Sequence, residues 1–266
     1  MHGTGNRIVV VDERGSDRAP PSPEQIRTLG SEATGPGFDQ LMWLRPGEAP
    51  AAASYRVFNA DGSEVEQCGN GVRCVARLLA AGGERELLLL GPAGPVDARI
   101  LDDGRVAVSM GAPVFDPVQI PFDAPNEADH YQIDVGGEML EVSALSMGNP
   151  HCVIDVDDVT TADVASLGPA IERHQRFPNK ANVGFMAVRP DGEIDLRVHE
   201  RGVGETLACG TGACAAAVVA RRRSLTGEDT IVNLPGGQVM VSWRGGDAVV
   251  WMTGNAELIS EGTIEI

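Results

Sequence analysis

Two cysteines of this chain sit in the same local setting. Cys68-Gly69-Asn70-Gly71 and Cys209-Gly210-Thr211-Gly212 each run from a thiol through two glycines into an apolar stretch. After Cys209 the residues Ala213-Cys214-Ala215-Ala216-Ala217 are apolar on every face, which predicts a buried helix. A cysteine at the mouth of such a helix lies beside unpaired backbone N–H groups and the positive end of the macrodipole, both favouring thiolate over thiol. Nine positions before each cysteine stands a polar residue, Asn59 in one copy and Glu200 in the other. One such motif is weak evidence, because a lone cysteine is more often a small apolar filler. Two, about half the chain apart, point to a duplicated fold with a thiol at the same place in each half.

Paired thiols suit one reaction type in particular. With a thiolate on one face of a carbon acid and a thiol on the other, one removes a proton, the other supplies one, and the carbon inverts. Positioned acid and base each contribute roughly 10²–10⁴-fold, too little alone for an amino-acid α-hydrogen. The remainder must come from stabilising the carbanion and its carboxylate. Backbone N–H groups at two helix N-termini can do this, and Gly69-Asn70 and Gly210-Thr211 are where those donors should be.

Composition narrows the partners. Lys and Arg total 21 against 38 for Asp and Glu, a net charge of −17, which repels phosphate backbones and anionic lipid. No nucleic-acid or membrane partner is expected. The N-terminus has no basic-then-apolar signal pattern and no apolar run reaches membrane-spanning length, so a cytoplasmic protein is expected. Five cysteines form neither an even disulfide framework nor Cys-x-x-Cys pairs, so reduced thiols are the default. Cys74, Cys152 and Cys214 are read as core thiols.

The elements that must position the two thiols follow in order. Ile8–Val11 reads as a buried strand. Ser22-Pro23-Glu24-Gln25 has an N-cap serine, proline at the first helical position and glutamine at the third, opening a short helix to about Leu29. Strands are expected at 41–44 and 55–58, then a helix behind Cys68 with Val72, Val75, Ala76 and Leu79 on one face, ending at Gly82-Gly83. Three further strands (87–90, 96–101, 106–110) complete the first half. A proline-punctuated segment from Gly111 to about Asp129 carries the chain across. Strands 131–135 and 139–143 form a hairpin through Gly136-Gly137. The order then returns: a strand at 152–156, a short helix from Thr161 to about Arg173, strands at 186–188 and 194–198, and the Cys209 helix. The Arg221-Arg222-Arg223 end of that helix reads as a solvated last turn. Strands at 230–234, 239–243 and 248–252 follow, with a last strand over 258–266.

The expected fold class is α+β, with two pseudo-symmetric halves, each a curled, mainly antiparallel sheet around a central helix. Residues 1–111, completed by the last strand 255–266, form the N-terminal half, and 112–254 the C-terminal half. The cysteines are expected to face the cleft between them.

Five motifs in register carry a family resemblance: Phe58-Asn59-Ala60-Asp61-Gly62-Ser63, Cys68-Gly69-Asn70-Gly71, Met147-Gly148-Asn149-Pro150-His151, Glu200-Arg201-Gly202-Val203-Gly204-Glu205-Thr206 and Ala208-Cys209-Gly210-Thr211-Gly212-Ala213. Over nearly the whole chain the sequence resembles the diaminopimelate epimerases. The resemblance implies a cofactor-independent, metal-free interconversion of LL- and meso-2,6-diaminoheptanedioate, feeding lysine and cell-wall precursor synthesis, by a protein that is commonly a homodimer. It implies that Cys68 and Cys209 are the acid/base thiols and that His151 and Glu200 help set their protonation. It also implies that Asn6, Gln40, Asn59, Asn149, Asn182, Glu200 and Arg201 hold the substrate, and that Gly69, Asn70, Gly210 and Thr211 bind the reacting carboxylate. The chemistry agrees, since Arg201 can grip a distal carboxylate through two parallel hydrogen bonds while Glu200 accepts from an ammonium. Arg7-Ile8 stands where the family usually has Asp-Phe, and His199 where tyrosine is frequent.

Three other readings compete. A proline or hydroxyproline racemase of the same architecture needs no residues for a second amino-acid group. A thiol-redox switch would join Cys68 to Cys209. A catalytically dead binding protein would have no need of both thiols and both glycine turns. Taken singly, the residues have blander readings too: His151 as a loop histidine, Asn59, Asn149 and Asn182 as turn formers, Glu200 and Arg201 as a solvated pair.

Overall fold

The structure, a computed structural model, describes residues 1–66 and 68–263. The chain divides into two compact units, Met1–Ser109 with Thr253–Ile266, and Met110–Met252.

The first unit contains β1 (His2–Gly3), β2 (Asn6–Asp12), α1 (Pro23–Gly30), β3 (Gln40–Arg45), β4 (Ala53–Asn59), β5 (Glu64–Val65), α2 (Gly69–Leu79), β6 (Glu86–Gly91), β7 (Gly94–Ile100) and β8 (Val106–Ser109). Helix α1 starts as its sequence dictates: Ser22 accepts from the Gln25 N–H and the Gln25 side chain accepts from the Ser22 N–H, a complete capping box. Its Ile26 and Leu29 pack on Phe38, Leu41, Trp43 and Phe58. Strands β2 and β3 are parallel and β3 and β4 antiparallel. β4 is antiparallel to β5 and parallel to β6, and β6, β7 and β8 form an antiparallel meander. Helix α2 touches β1, β2, β3, β7 and β8, so the sheet curls around it.

Two expectations need correcting in this unit. Only Ile8 of the Ile8–Val11 run is buried; Val9 and Val11 are half-buried against the α1 cluster. Helix α2 is buried over residues 69–76 on every side, and this includes Arg73, fully buried at 0% exposure. Arg73 is tolerated because its planar fork finds fixed acceptors. Nη2 donates to Thr4 Oγ1 and Asn70 Oδ1, each at 2.8 Å, and Nε donates to the Asn255 carbonyl at 3.4 Å.

The second unit contains β9 (Tyr131–Val135), β10 (Glu138–Ser146), β11 (Pro150–Asp155), α3 (Val164–Glu172), β12 (Asn182–Val188), β13 (Ile194–Glu200), β14 (Gly204–Thr206), α4 (Gly210–Arg222), β15 (Asp229–Leu234), β16 (Gly237–Ser242) and β17 (Trp251–Gly254), whose last residues enter the first unit. The β9–β10 hairpin turns on Gly136 and Gly137, both at positive φ (66° and 92°), as a two-residue primed turn requires. Pairing for pairing, the first unit's order returns: β11 parallel to β12, β12 antiparallel to β13, β13 antiparallel to β14 and parallel to β15, β15 antiparallel to β16. Helix α4 is touched by β10, β11, β12, β13, β15 and β16, and residues 211–220 are buried. On the sheet's other side α3 sets Val164 and Ile171 into a cluster with Phe122, Phe177, Val183 and Phe185.

Three further expectations change here. The strand drawn over 248–252 begins only at Trp251, because Val250 spends its backbone groups on Met110 and Gly111 instead. The last strand drawn over 258–266 is not formed in its described part: the tail makes a single bridge, Glu257 with His2, and 264–266 lie outside the described residues. The end of α4 is not a simply solvated turn either. Arg222 lies 4.1 Å over the Phe115 ring and pairs with Glu127 and Asp129, while Arg223 pairs with Asp155.

Arg73→Lys tests how much the buried fork matters. One ammonium cannot reproduce three directed bonds, so the urea midpoint should fall by the equivalent of about 2–4 kcal/mol, with the far-ultraviolet spectrum retained.

Candidate active site

Cys68 is the N-cap of α2 and its sulfur accepts from the Gly71 N–H at 3.2 Å. The β2–β3–β4 pairing brings three amides to it, since Gln40 lies opposite both Ile8 and Asn59. Cys68 Sγ donates to Gln40 Oε1 at 2.9 Å, and Asn6 Nδ2 donates to the same oxygen at 2.8 Å. Gln40 Nε2 in turn reaches Asn59 Oδ1 at 3.3 Å. Asn70, one residue past Gly69 in the first turn of α2, is buried and held by Arg73. Asn6, Gln40, Asn59, Gly69 and Asn70 are thus gathered around Cys68 within one unit.

Cys209 is the N-cap of α4, 4% exposed, with Thr211 Oγ1 at 3.7 Å from its sulfur. Burial, then the charge of Glu200 beside it, push this thiol well above its ordinary pKa, although the Thr211 hydroxyl and Gly212 amide pull the other way. At Cys209, desolvation and a neighbouring carboxylate thus oppose the preference for thiolate that the helix N-terminus confers. Burial also raises the Glu200 carboxyl, against hydrogen bonds from Thr206 and Cys209.

His151 is buried at 1% exposure, its Nε2 2.9 Å from Asn149 Oδ1, and the Asn149 amide donates to Thr211 at 3.4 Å. With that amide donating, Nε2 carries the proton. Burial first, and then the Arg201 charge, depress His151 to about 3, so it is neutral at pH 7. Asn182 joins two segments: its Nδ2 donates to the Pro150 carbonyl and its Oδ1 accepts the Arg201 N–H at 2.9 Å. The Arg201 guanidinium is exposed, with one bond to the Asn179 carbonyl. Asn149, His151, Asn182, Glu200, Arg201, Gly210 and Thr211 are all brought to the Cys209 end of the second unit.

The sequence reading missed Glu172. This carboxylate, 2% exposed, accepts from His199 Nε2 at 3.0 Å and from the Gly202 N–H at 3.2 Å, with Lys180 Nζ at 3.5 Å. It therefore clamps both sides of the Glu200-Arg201 turn. A Cβ on Gly168 would stand 2.7 Å from His199, so α3 can lie over the imidazole only with glycine there. No motif marks Glu172; the signal was its place at the end of a predicted helix, where an acid opposes the dipole and needs another reason. Among the described residues no group of three or more His, Cys, Asp or Glu is gathered as metal ligands would be.

The second glycine of each motif also has a reason. A Cβ on Gly71 would sit 2.4 Å from Met42 Sδ and 3.2 Å from Cys68 Sγ; on Gly212 it would meet Val198 at 3.0 Å and Cys209 Sγ at 3.2 Å. Gly71→Ala and Gly212→Ala should each displace the adjacent sulfur, costing about 1–3 kcal/mol in urea unfolding, with Gly71→Ala the worse. His151 gives a pH prediction of definite sign. Its folded pKa lies below the unfolded value, so the unfolded chain alone takes up a proton below pH ~6.5 and stability falls toward pH 3. At about pH 4.5 this contributes roughly 2–3 kcal/mol of loss relative to pH 7.5, which His151→Gln should remove from the urea midpoints.

The family model described as diaminopimelate epimerase matches residues 1–115 and 143–259. A relative named diaminopimelate epimerase from Alkalilimnicola ehrlichii is 49% identical over 274 residues, covering 100% of this chain and 97% of its own. One of the same name from Thioalkalivibrio sulfidiphilus is 49% identical over 272 residues, covering 100% and 98%. Among solved structures, a probable proline racemase from Agrobacterium radiobacter K84 superposes with a TM-score of 0.71 at 18% identity, covering 99% of this chain and 92% of its own. A hydroxyproline epimerase from Agrobacterium vitis gives 0.67 at 18% identity, covering 95% and 86%. These two show the fold that the chain shares with other racemases and epimerases, and the sequence relationships decide the family: the chain belongs to the diaminopimelate epimerases.

Proposed function

We propose that the chain interconverts LL- and meso-2,6-diaminoheptanedioate through two thiols, Cys68 and Cys209, without a cofactor. The observation that carries this reading is that each thiol is the N-cap of a helix buried in its own unit, with matching strand pairings around it. One sulfur removes the α-proton while the other delivers a proton to the opposite face of the same carbon. The developing charge spreads onto the adjacent carboxylate. N–H groups of the first helical turns, at Gly69-Asn70 and Gly210-Thr211, supply fixed donors for it without reorganisation.

The other residues divide by what they can offer. Arg201, exposed and with its backbone fixed by Asn182, offers a fork for the distal carboxylate. Asn6, Gln40, Asn59, Asn149 and Asn182 offer amides to the polar ends. Glu200 beside Cys209 receives or returns that thiol's proton, and neutral His151 holds Asn149 and Thr211 in place.

Work in the cytoplasm and as a homodimer belongs to the same proposal. Five cysteines that form no disulfide framework support the first, and the second rests on the family resemblance. No helix of the described residues is long and apolar enough to cross a membrane.

Proton NMR of LL-diaminopimelate with the reduced protein in heavy water tests the reaction. The expected outcome is the meso isomer with deuterium entering mainly the product; Cys68→Ala and Cys209→Ala should each lower turnover by roughly 10²–10⁴-fold under strong reductant. Folded protein that neither exchanges nor inverts this substrate, but acts on proline or hydroxyproline, would transfer the reading to the shorter substrates.

A further inference from the structure

The hydrogen bonds around Cys68 form a chain with a fixed direction, and the direction is set outside the residues assigned so far. Asp61, in the turn between β4 and β5, accepts from the Ser63 N–H at 2.8 Å and from the Ser63 hydroxyl at 2.6 Å, both on Oδ1. These bonds hold its carboxyl below the usual carboxylate range, so it is ionised and can only accept. The single hydroxyl proton of Ser63 is thereby committed, and Ser63 Oγ can only accept from Asn59 Nδ2, at 3.1 Å. Asn59 must then turn its oxygen toward Gln40, Gln40 must donate through Nε2, and Gln40 Oε1 is left facing Asn6 and Cys68. An amide oxygen 2.9 Å from sulfur repels a thiolate and accepts from a thiol.

We propose that Asp61 and Ser63 act as positioning residues which, through Asn59 and Gln40, hold Cys68 protonated in the free enzyme. Opposing groups are present and named. The Gly71 N–H and the N-terminus of α2 favour the thiolate, as does the Arg73 guanidinium, whose charge is shared with Thr4, Asn70 and Asn255. Tyr55 on β4 is buried and pushed up, first by burial and then by its nearness to Cys68, and so stays neutral; Cys74 in α2, pushed up to about 11 by burial, is neutral as well. Gln40 Oε1 is the acceptor in direct contact with the sulfur, and its orientation is what the chain from Asp61 fixes.

The catalytic meaning of this inference, that Cys68 begins as the proton donor while Cys209 becomes the base by passing its proton to Glu200, rests on the two-thiol reading above. Its test does not require turnover. The ultraviolet absorbance of the thiolate is followed as pH rises, and the titration of the same protein carrying Cys68→Ala is subtracted, which isolates Cys68. In the wild-type background Cys68 should be a thiol at pH 7. Ser63→Ala frees the Asn59 and Gln40 amides to turn, and the Cys68 midpoint should fall by roughly one pH unit. Ser63→Thr keeps the hydroxyl and should track the wild type, a rescue that a merely structural role for the turn would not give. An unchanged midpoint in Ser63→Ala, equal shifts in Ser63→Ala and Ser63→Thr, or a Cys68 thiolate at pH 7 in the wild type would each overturn the proposal.

Discussion

The first turn of a buried helix exposes backbone N–H groups that no carbonyl of the helix can satisfy, and in both units a cysteine stands there as N-cap. Much else follows from that placement. The helix must be wrapped on all sides, so a sheet has to curl around it and a second helix cover the sheet's outer side. The turn into the helix must be tight against sulfur, which disfavours a Cβ at Gly71 and Gly212.

The same placement creates an electrostatic contest that each unit settles differently. Against the Cys68 sulfur stands the oxygen of a neutral amide, Gln40, which in turn reaches a second amide, Asn59. Around Cys209 the neighbour is a carboxylate, Glu200, in a setting with almost no exposure. Two topologically equivalent cysteines are thus given unlike partners, and unlike partners shift the protonation of each separately on a duplicated frame. Glu172 extends the contrast. It anchors the turn that carries Glu200 and Arg201 from both sides, using a buried carboxylate against His199 and the Gly202 N–H.

A good part of this was legible in the chain. The capping box at Ser22, the Gly136-Gly137 turn and the uniformly apolar stretch after Cys209 each specify local structure through contacts within a few residues, and each forms as read. The duplicated motifs gave the two helices and their N-caps. What was misread depends on distant partners: a buried arginine in α2 that periodicity would place in solvent, a tail whose described part stays unpaired beyond Glu257, and arginines ending α4 on an aromatic ring and acids far away in sequence.

The sequence by itself determined that the cysteine-glycine motifs come in two sets, each opening a helix, and which local turns lead into them, because these rest on spacing and on glycine and asparagine conformations. Tertiary structure decided the protonation environment. Whether a thiol meets an amide oxygen, a carboxylate or a helix dipole first depends on strand register: Gln40 opposite Asn59, and Val183 opposite His199 with Asn182 one step further along. Charge interactions fall off with distance and strengthen with burial, and neither distance nor burial is written in the order of residues.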